Sequence, residues 1–206
     1  RWCNVGFRYA TGRLYKPKPK GGGYTTWWDL DGLLTNCWGA YLAKGAESYA
    51  ASKVNLANPG EHNLTEPANY PSWSSANGWD YGDTYTDPIT YLNIGAPDTV
   101  TPSWIAILCY PDYVPLAGAF AKYNADSTVF RLSNTGPNKW LPYAISPFYV
   151  NGVETTTCVD KTWMTVMGGC GANTRYTIGY SYNTNKERQW RRYIGALVVF
   201  SSGSNA

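Results

Sequence analysis

Paired carboxylates are the first place to look for chemistry, and the tightest pair in this sequence is Asp29-x-Asp31. On a strand, residues two apart share a face about two rises from one another, the kind of placement a retaining glycosidase gives its acid and its nucleophile. The pair runs straight into Gly32, however, where an Asp ordinarily serves as a turn former. His62, the single histidine, follows Glu61 in a loop rich in Pro and Asn and could act as a general base. A triad needs partners brought together in space, and no Gly-x-Ser-x-Gly elbow, phosphate-binding loop or His-Glu-x-x-His accompanies it. Gly21-Gly22-Gly23 lacks the following Lys-Ser/Thr and reads as a hinge. Cys3, Cys37, Cys109, Cys158 and Cys170 form no Cys-x-x-Cys pair, so structural zinc is not expected. In an oxidising compartment the four body cysteines could form two disulfides with Cys3 spare; buried free thiols serve equally well. The inventory points to a protein that is not an enzyme and carries no cofactor.

Chemistry of contact is better represented. With 18 Tyr and 10 Trp, the chain has many rings on which the C–H faces of sugars could stack. Trp73, Trp79, Tyr81, Tyr85 and Tyr91 form one candidate glycan platform, and Tyr180, Tyr182 and Trp190 a second. The competing explanation is that large aromatics fill a core or a subunit contact. The run from Lys186 to Arg192 interleaves bases with Trp190 in a way that would suit a single-stranded nucleic acid. A charged hairpin edge that discourages stray pairing explains it more simply, so nucleic acid is not expected as a partner. The sequon Asn63-Leu64-Thr65 is compatible with a surface loop.

The elements that must position these groups are mostly strands, as abundant Tyr and Trp and 21 Gly suggest. Charge divides the chain first. Residues 1–23 hold six of the 17 bases and no acid, whereas residues 24–206 carry the other eleven against 14 acids, a net −3. The alternating Lys and Pro of 16–20 followed by three glycines predict an extended, basic arm and then a hinge. Such an arm could touch nucleic acid, an acidic surface or a neighbouring subunit, since its charge attracts any polyanion, or remain a solvated tail; docked on a neighbour, Arg8 and Arg13 would steer while Trp2, Phe7, Tyr9 and Tyr15 anchor. Beyond it a single domain is expected over 24–206. Leu42, Ala46, Tyr49 and Ala50 fall at helical spacing, which predicts one helix over 40–53, stopped by Asn58-Pro59-Gly60. Residues 103–110 are apolar on both alternating faces and predict a strand covered on two sides. Residues 116–123 and 127–132 suggest a hairpin, and Asn151-Gly152 between Phe148-Tyr149-Val150 and Val153-Glu154-Thr155 predicts another with a type I′ turn. Runs at 163–167, 176–180 and 194–200 complete the expected two-sheet antiparallel β-sandwich. No apolar stretch is long enough for a membrane-spanning helix.

The order of the pieces resembles laminin-G-like domains of the concanavalin A-like lectin and glucanase superfamily. The resemblance rests on Trp27-Trp28-Asp29-Leu30-Asp31-Gly32, Trp104-Ile105-Ala106, Tyr149-Val150-Asn151-Gly152, Trp163, Ile178-Gly179 and the closing Gly195 to Phe200. Residues 46–60 with Asn77-Gly78-Trp79 resemble the variant found in phage and environmental viral structural proteins. It implies an all-β jelly roll and a non-catalytic adhesion or structural role on a virion or in an extracellular assembly. Carbohydrate, a carrier structural protein or further copies of the chain would be the partners. The glucanase branch displays Glu-x-Asp-x-Glu on one strand, which this chain lacks. Some laminin-G-like domains use calcium at the sandwich rim, so the resemblance draws attention to Asp80, Asp83, Asp87 and Asp98, although their spacing matches no calcium loop.

Overall fold

A computed structural model describes residues 9–10, 13–14, 37–83, 90–100, 102–112, 118–122, 128–132, 139–142, 148–169, 173–180 and 190–201. They are mostly strands, arranged in two antiparallel sheets with almost no helix. In the arm, β1 (Tyr9–Ala10) and β2 (Arg13–Leu14) pair as a small ribbon. Then come β3 (Cys37–Leu42), the helical turn α1 (Tyr49–Ser52), β4 (Ser72–Ser74), β5 (Gly78–Asp80), β6 (Leu92–Val100) and β7 (Pro102–Pro111). They are followed by β8 (Gly118–Lys122), β9 (Thr128–Leu132), β10 (Trp140–Pro142), β11 (Phe148–Val150) and β12 (Val153–Glu154). The last three are β13 (Met164–Gly169), β14 (Asn173–Ile178) and β15 (Arg192–Ser201).

The smaller sheet runs β10-β9-β8-β14-β6. The larger runs β12-β11-β13-β7-β15-β5-β4, and β3 also pairs with β15. The ten residues of β15 are long enough to take two partners on one edge, β5 at Tyr193 and Ile194 and β3 from Ala196 to Phe200. On its other edge β15 pairs with β7 along nearly its whole length. That makes β7, flanked by β13 and β15, the central strand expected from its two apolar faces.

One core joins the sheets. Leu92, Ile94, Phe120, Tyr176 and Ile178 of the smaller sheet meet Trp79, Ile105, Ile107, Val166, Ile194, Leu197 and Val199 of the larger. Burying each such side chain stabilises the fold by about 1.5–3 kcal/mol, so this layer is its main support. The result is a sandwich-like all-β fold.

Both expected hairpins are present. β8 and β9 pair, and β11 and β12 are joined by Asn151 (φ 52°) and Gly152 (φ 80°), the positive angles of a type I′ turn. The expected helix over 40–53 is corrected. Ala40 and Tyr41 belong to β3, paired with Val198 and Leu197 of β15, so tertiary pairing overrides local propensity. Gly45, at φ 85°, then breaks the run, and only the four residues of α1 are helical, capped by the Ser48 hydroxyl accepting from the Ala51 N–H. No helix among the described residues is long and apolar enough to cross a membrane.

Candidate functional site

Strand alternation sorts β7 into two sets. Ile105, Ile107 and Cys109 enter the core between the sheets, while Trp104, Ala106, Leu108 and Tyr110 occupy the opposite, outer face of the larger sheet. Tyr110 lies directly opposite Tyr193 of β15, which puts both rings on that outer face, 5.6 Å apart between centroids. Trp163, just before β13, completes a triangle: its indole lies 5.7 Å from the Tyr110 ring, edge to face, and 6.2 Å from that of Tyr193, nearly parallel. All three side chains are half-buried. Contacts of this kind contribute about 0.5–1.5 kcal/mol each beyond the area they cover, so the triangle is a preorganised surface.

A glycine makes room for it. A Cβ on Gly195 would come within 3.0 Å of the Trp163 ring, 3.1 Å of Leu108 and 3.3 Å of the Lys44 side chain. Because that position is bare, Trp163 lies over β15 and the Lys44 ammonium sits 4.7 Å from the indole centroid, a cation–π contact. The same ammonium donates to the Ala76 carbonyl, and burial pulls its pKa below the ordinary lysine value.

Next to the triangle lies a charged rim. Arg192 Nε donates to Asp112 Oδ2 at 3.4 Å, and its Nη2 reaches Asp83 Oδ2 at 3.2 Å. Lys161 stands 3.6 Å from the other oxygen of Asp112. Lys161 and Asp83 remain largely in water, at 63% and 59% side-chain exposure, and so keep donors and acceptors available to a ligand. Rings with polar groups at their margin are suited to holding a hydroxylated, partly apolar ligand or another protein surface.

The residues expected to form the glycan platforms are mostly elsewhere. Trp79, Tyr81, Tyr180 and Trp190 are buried, which corrects their assignment to an exposed surface. The Trp79 indole N–H donates to the buried Ser52 hydroxyl at 2.9 Å, and Trp190 stacks on Trp140 at 5.7 Å inside the core. Trp73 is half-buried, its N–H donating to the Ala43 carbonyl at 2.8 Å. Tyr91 is half-buried beside Tyr180, the rings 6.0 Å apart. Tyr85 and Tyr182 lie outside the described residues, as do Trp2, Phe7, Arg8 and Tyr15 of the arm. Tyr9 and Arg13 fall in the β1–β2 ribbon.

The remaining candidates have local roles or lie elsewhere. Asp80 accepts from the Gly82 N–H at 2.9 Å, the turn-forming use of an Asp, and Asp83 faces Arg192. Asp98 lies in β6, while Asp87 and the Asp29-x-Asp31 pair are outside the described residues. Among the described residues no group of three or more His, Cys, Asp or Glu is placed to hold a metal ion. The His62 imidazole lies against the Trp38 indole at 4.4 Å. Cys37, Cys109 and Cys158 are buried free thiols; Cys3 and Cys170 lie outside the described residues.

Sequence reasoning missed Tyr110, Trp163, Tyr193 and Lys44 as a group. The available signal was parity within β7, since Tyr110 lies an odd number of positions from the core residue Ile105. What joins the four residues is the β7–β15 register and the bare Gly195, both tertiary facts. Comparison with known proteins gives no match among family models, curated proteins or solved structures.

Proposed function

We propose that the chain is a non-catalytic adhesion or structural module, a laminin-G-like jelly roll of the concanavalin A-like kind, working on a virion or in an extracellular assembly. Its contact surface is the outer face of the larger sheet, where Tyr110, Trp163 and Tyr193 hold one another half-exposed beside a charged rim. That preorganised aromatic triangle is the observation that carries the reading, because ordering it in advance lowers what a ligand must supply on binding. A glycan is the preferred ligand, and display of many copies would turn weak single contacts into useful avidity.

The test is a glycan-array screen of the intact chain followed by titration of the best ligand against Trp163→Ala and Tyr193→Ala. Each truncation is expected to weaken binding about tenfold or more, the usual effect of removing a central aromatic contact. Unchanged affinity in both folded variants would move the ligand off this face.

A self-assembling structural subunit is the second reading. It is favoured by the opposite end of the same outer face, where Trp104, Tyr149, Met167 and Phe200 are only half-buried, Trp104 and Tyr149 lying 6.4 Å apart. Cross-linking that joins these positions between copies, with no array ligand found, would put assembly ahead of adhesion.

A further inference from the structure

Each ring of the outer-face triangle has a charged residue beside it in the chain. Asp112 follows Tyr110 at the end of β7, Lys161 precedes Trp163 in the approach to β13, and Arg192 precedes Tyr193 in β15. Three separate segments thus bring one aromatic and one charge apiece to the same place. Backbone bonds fix the arrangement: Lys161 N donates to the Pro111 carbonyl at 2.9 Å, Asp112 N to that of Arg191 at 3.3 Å, and Arg192 N to that of Gly82 at 2.7 Å. Lys161 at φ 53° and Arg192 at φ 72° hold left-handed conformations that a Cβ disfavours, and residues held in this way cluster where a chain positions a group for use.

The charges form a row of alternating sign, Asp83–Arg192–Asp112–Lys161, joined at 3.2, 3.4 and 3.6 Å. Two cations and two carboxylates leave the row no net charge. Its inner members are spent on one another, whereas its ends are the exposed Asp83, an acceptor only, and the exposed Lys161, a donor only. Lys44, the cation at Trp163, is engaged by the Ala76 carbonyl and the indole face. A ligand carboxylate drawn to Lys161 would meet Asp112, already 3.6 Å from that ammonium, and a ligand cation drawn to Asp83 would meet Arg192. A hydroxyl both donates and accepts, so a neutral polyol satisfies both ends of the row and opposes neither.

We propose that this row selects the sugar: a chain of neutral hexoses lies on the rings, one hydroxyl donating to Asp83 and another accepting from Lys161, while uronic and other carboxylated sugars are turned away by Asp83 and Asp112. The rings take the apolar C–H faces that all pyranoses share, so they cannot make this choice, and the row beside them can. The inference rests on the reading of the aromatic face as a glycan site and adds to it the class of sugar and the residues that choose it.

The experiment titrates the full chain with oligomers of glucose, galactose and mannose, each set beside its uronic counterpart, with and without added sodium chloride. A neutral oligomer should bind, its uronic counterpart about tenfold or more weakly, and salt should change the neutral affinity little. Asp83→Lys makes the row net positive and should reverse the preference within a pair, whereas loss of a merely structural Asp83 would weaken both members alike. A uronic oligomer that binds the unsubstituted chain as tightly as its neutral counterpart overturns the proposal. So does a folded Asp83→Lys chain that keeps the parent's preference. Should that variant fail to fold, Asp83→Asn should narrow the preference, and an unchanged preference there counts equally against the proposal. Trp163→Ala, measured on the tightest-binding oligomer, tests the aromatic face separately: if it weakens binding, those outcomes overturn only the choice of sugar, and if it does not, both readings fail. A panel in which no neutral oligomer binds also overturns the proposal, whatever the array finds on the same face.

Discussion

At Gly179 the backbone adopts φ 84°, and a Cβ there would overlap the ring of Tyr81. Tyr81 is buried because this position is bare, and the close approach joins the loop after β14 to the end of β5. Gly179→Ala combines a left-handed backbone with a core clash, so a loss of about 3 kcal/mol or more is expected in urea unfolding. Gly45 shares the positive φ but has open space around its missing Cβ, and Ala there should cost only about 1 kcal/mol. Equal losses at the two sites would show that packing on Tyr81 contributes little. The buried thiols lead to a prediction in pH. Burial pushes Cys37 up to about 12, with a backbone hydrogen bond at Gly39 acting the other way, and burial followed by the charge of Asp160 pushes Cys158 up to about 11. Burial also raises Cys109, with Cys158 adding to the effect. A raised thiol pKa means the folded chain holds its proton after the unfolded chain has released it. The associated stability is present below the unfolded thiol value of about 8.5 and is lost as pH rises through the folded values. Unfolding free energy should therefore fall from about pH 9 towards 11 and 12. Burial of Tyr41 and Tyr81 raises their pKa in the same direction. In a Cys3→Ala/Cys170→Ala background, Ellman's reagent should react with the three remaining thiols only on unfolding.

Among the elements, the β11–β12 hairpin shows how a local signal becomes a long-range one. Asn151 supplies a positive φ for the turn, and its Oδ1 accepts from the Thr165 N–H at 2.9 Å, fastening the turn to β13. Gly152 has open space around it, so Gly152→Ala tests the angle alone and should cost about 1 kcal/mol. Asn151→Ala loses both the angle and the bond and should cost more, about 2 kcal/mol, in the same unfolding assay. This hairpin was legible in the sequence because Asn-Gly dictates its own geometry, and β7 was legible because an unbroken apolar run has few other fates. β3 was not. Ala40 and Tyr41 take their conformation from β15, more than 150 positions away, and helical spacing in their neighbourhood carried no trace of that pairing. The candidate site was illegible for a related reason. An aromatic in a strand faces core or solvent according to register, so Trp79 went inside while Tyr110 and Tyr193 came out on the other face, and Trp190, just before β15, is buried by stacking on Trp140. Composition alone could not separate the two pairs.

For the whole molecule, the uneven distribution of charge gives the last prediction. Six bases and no acid in residues 1–23 precede a remainder of net −3, so the arm of one copy is attracted to the body of another. Surface attraction of this kind is screened over a Debye length of about 8 Å at physiological salt and about 3 Å at 1 M. If the arm docks on neighbours, the mass of the intact chain in solution should fall as salt rises, and deletion of residues 1–23 should give a smaller species whose mass hardly responds to salt. Light scattering of the intact and arm-deleted chains across a sodium chloride series separates the outcomes. Association that needs residues 1–23 and disappears in 1 M sodium chloride belongs to the arm. A mass that is the same with and without residues 1–23 at every salt concentration would show that the arm does not dock on neighbours, and any association that then remains would rest on contacts of the body that salt does not screen.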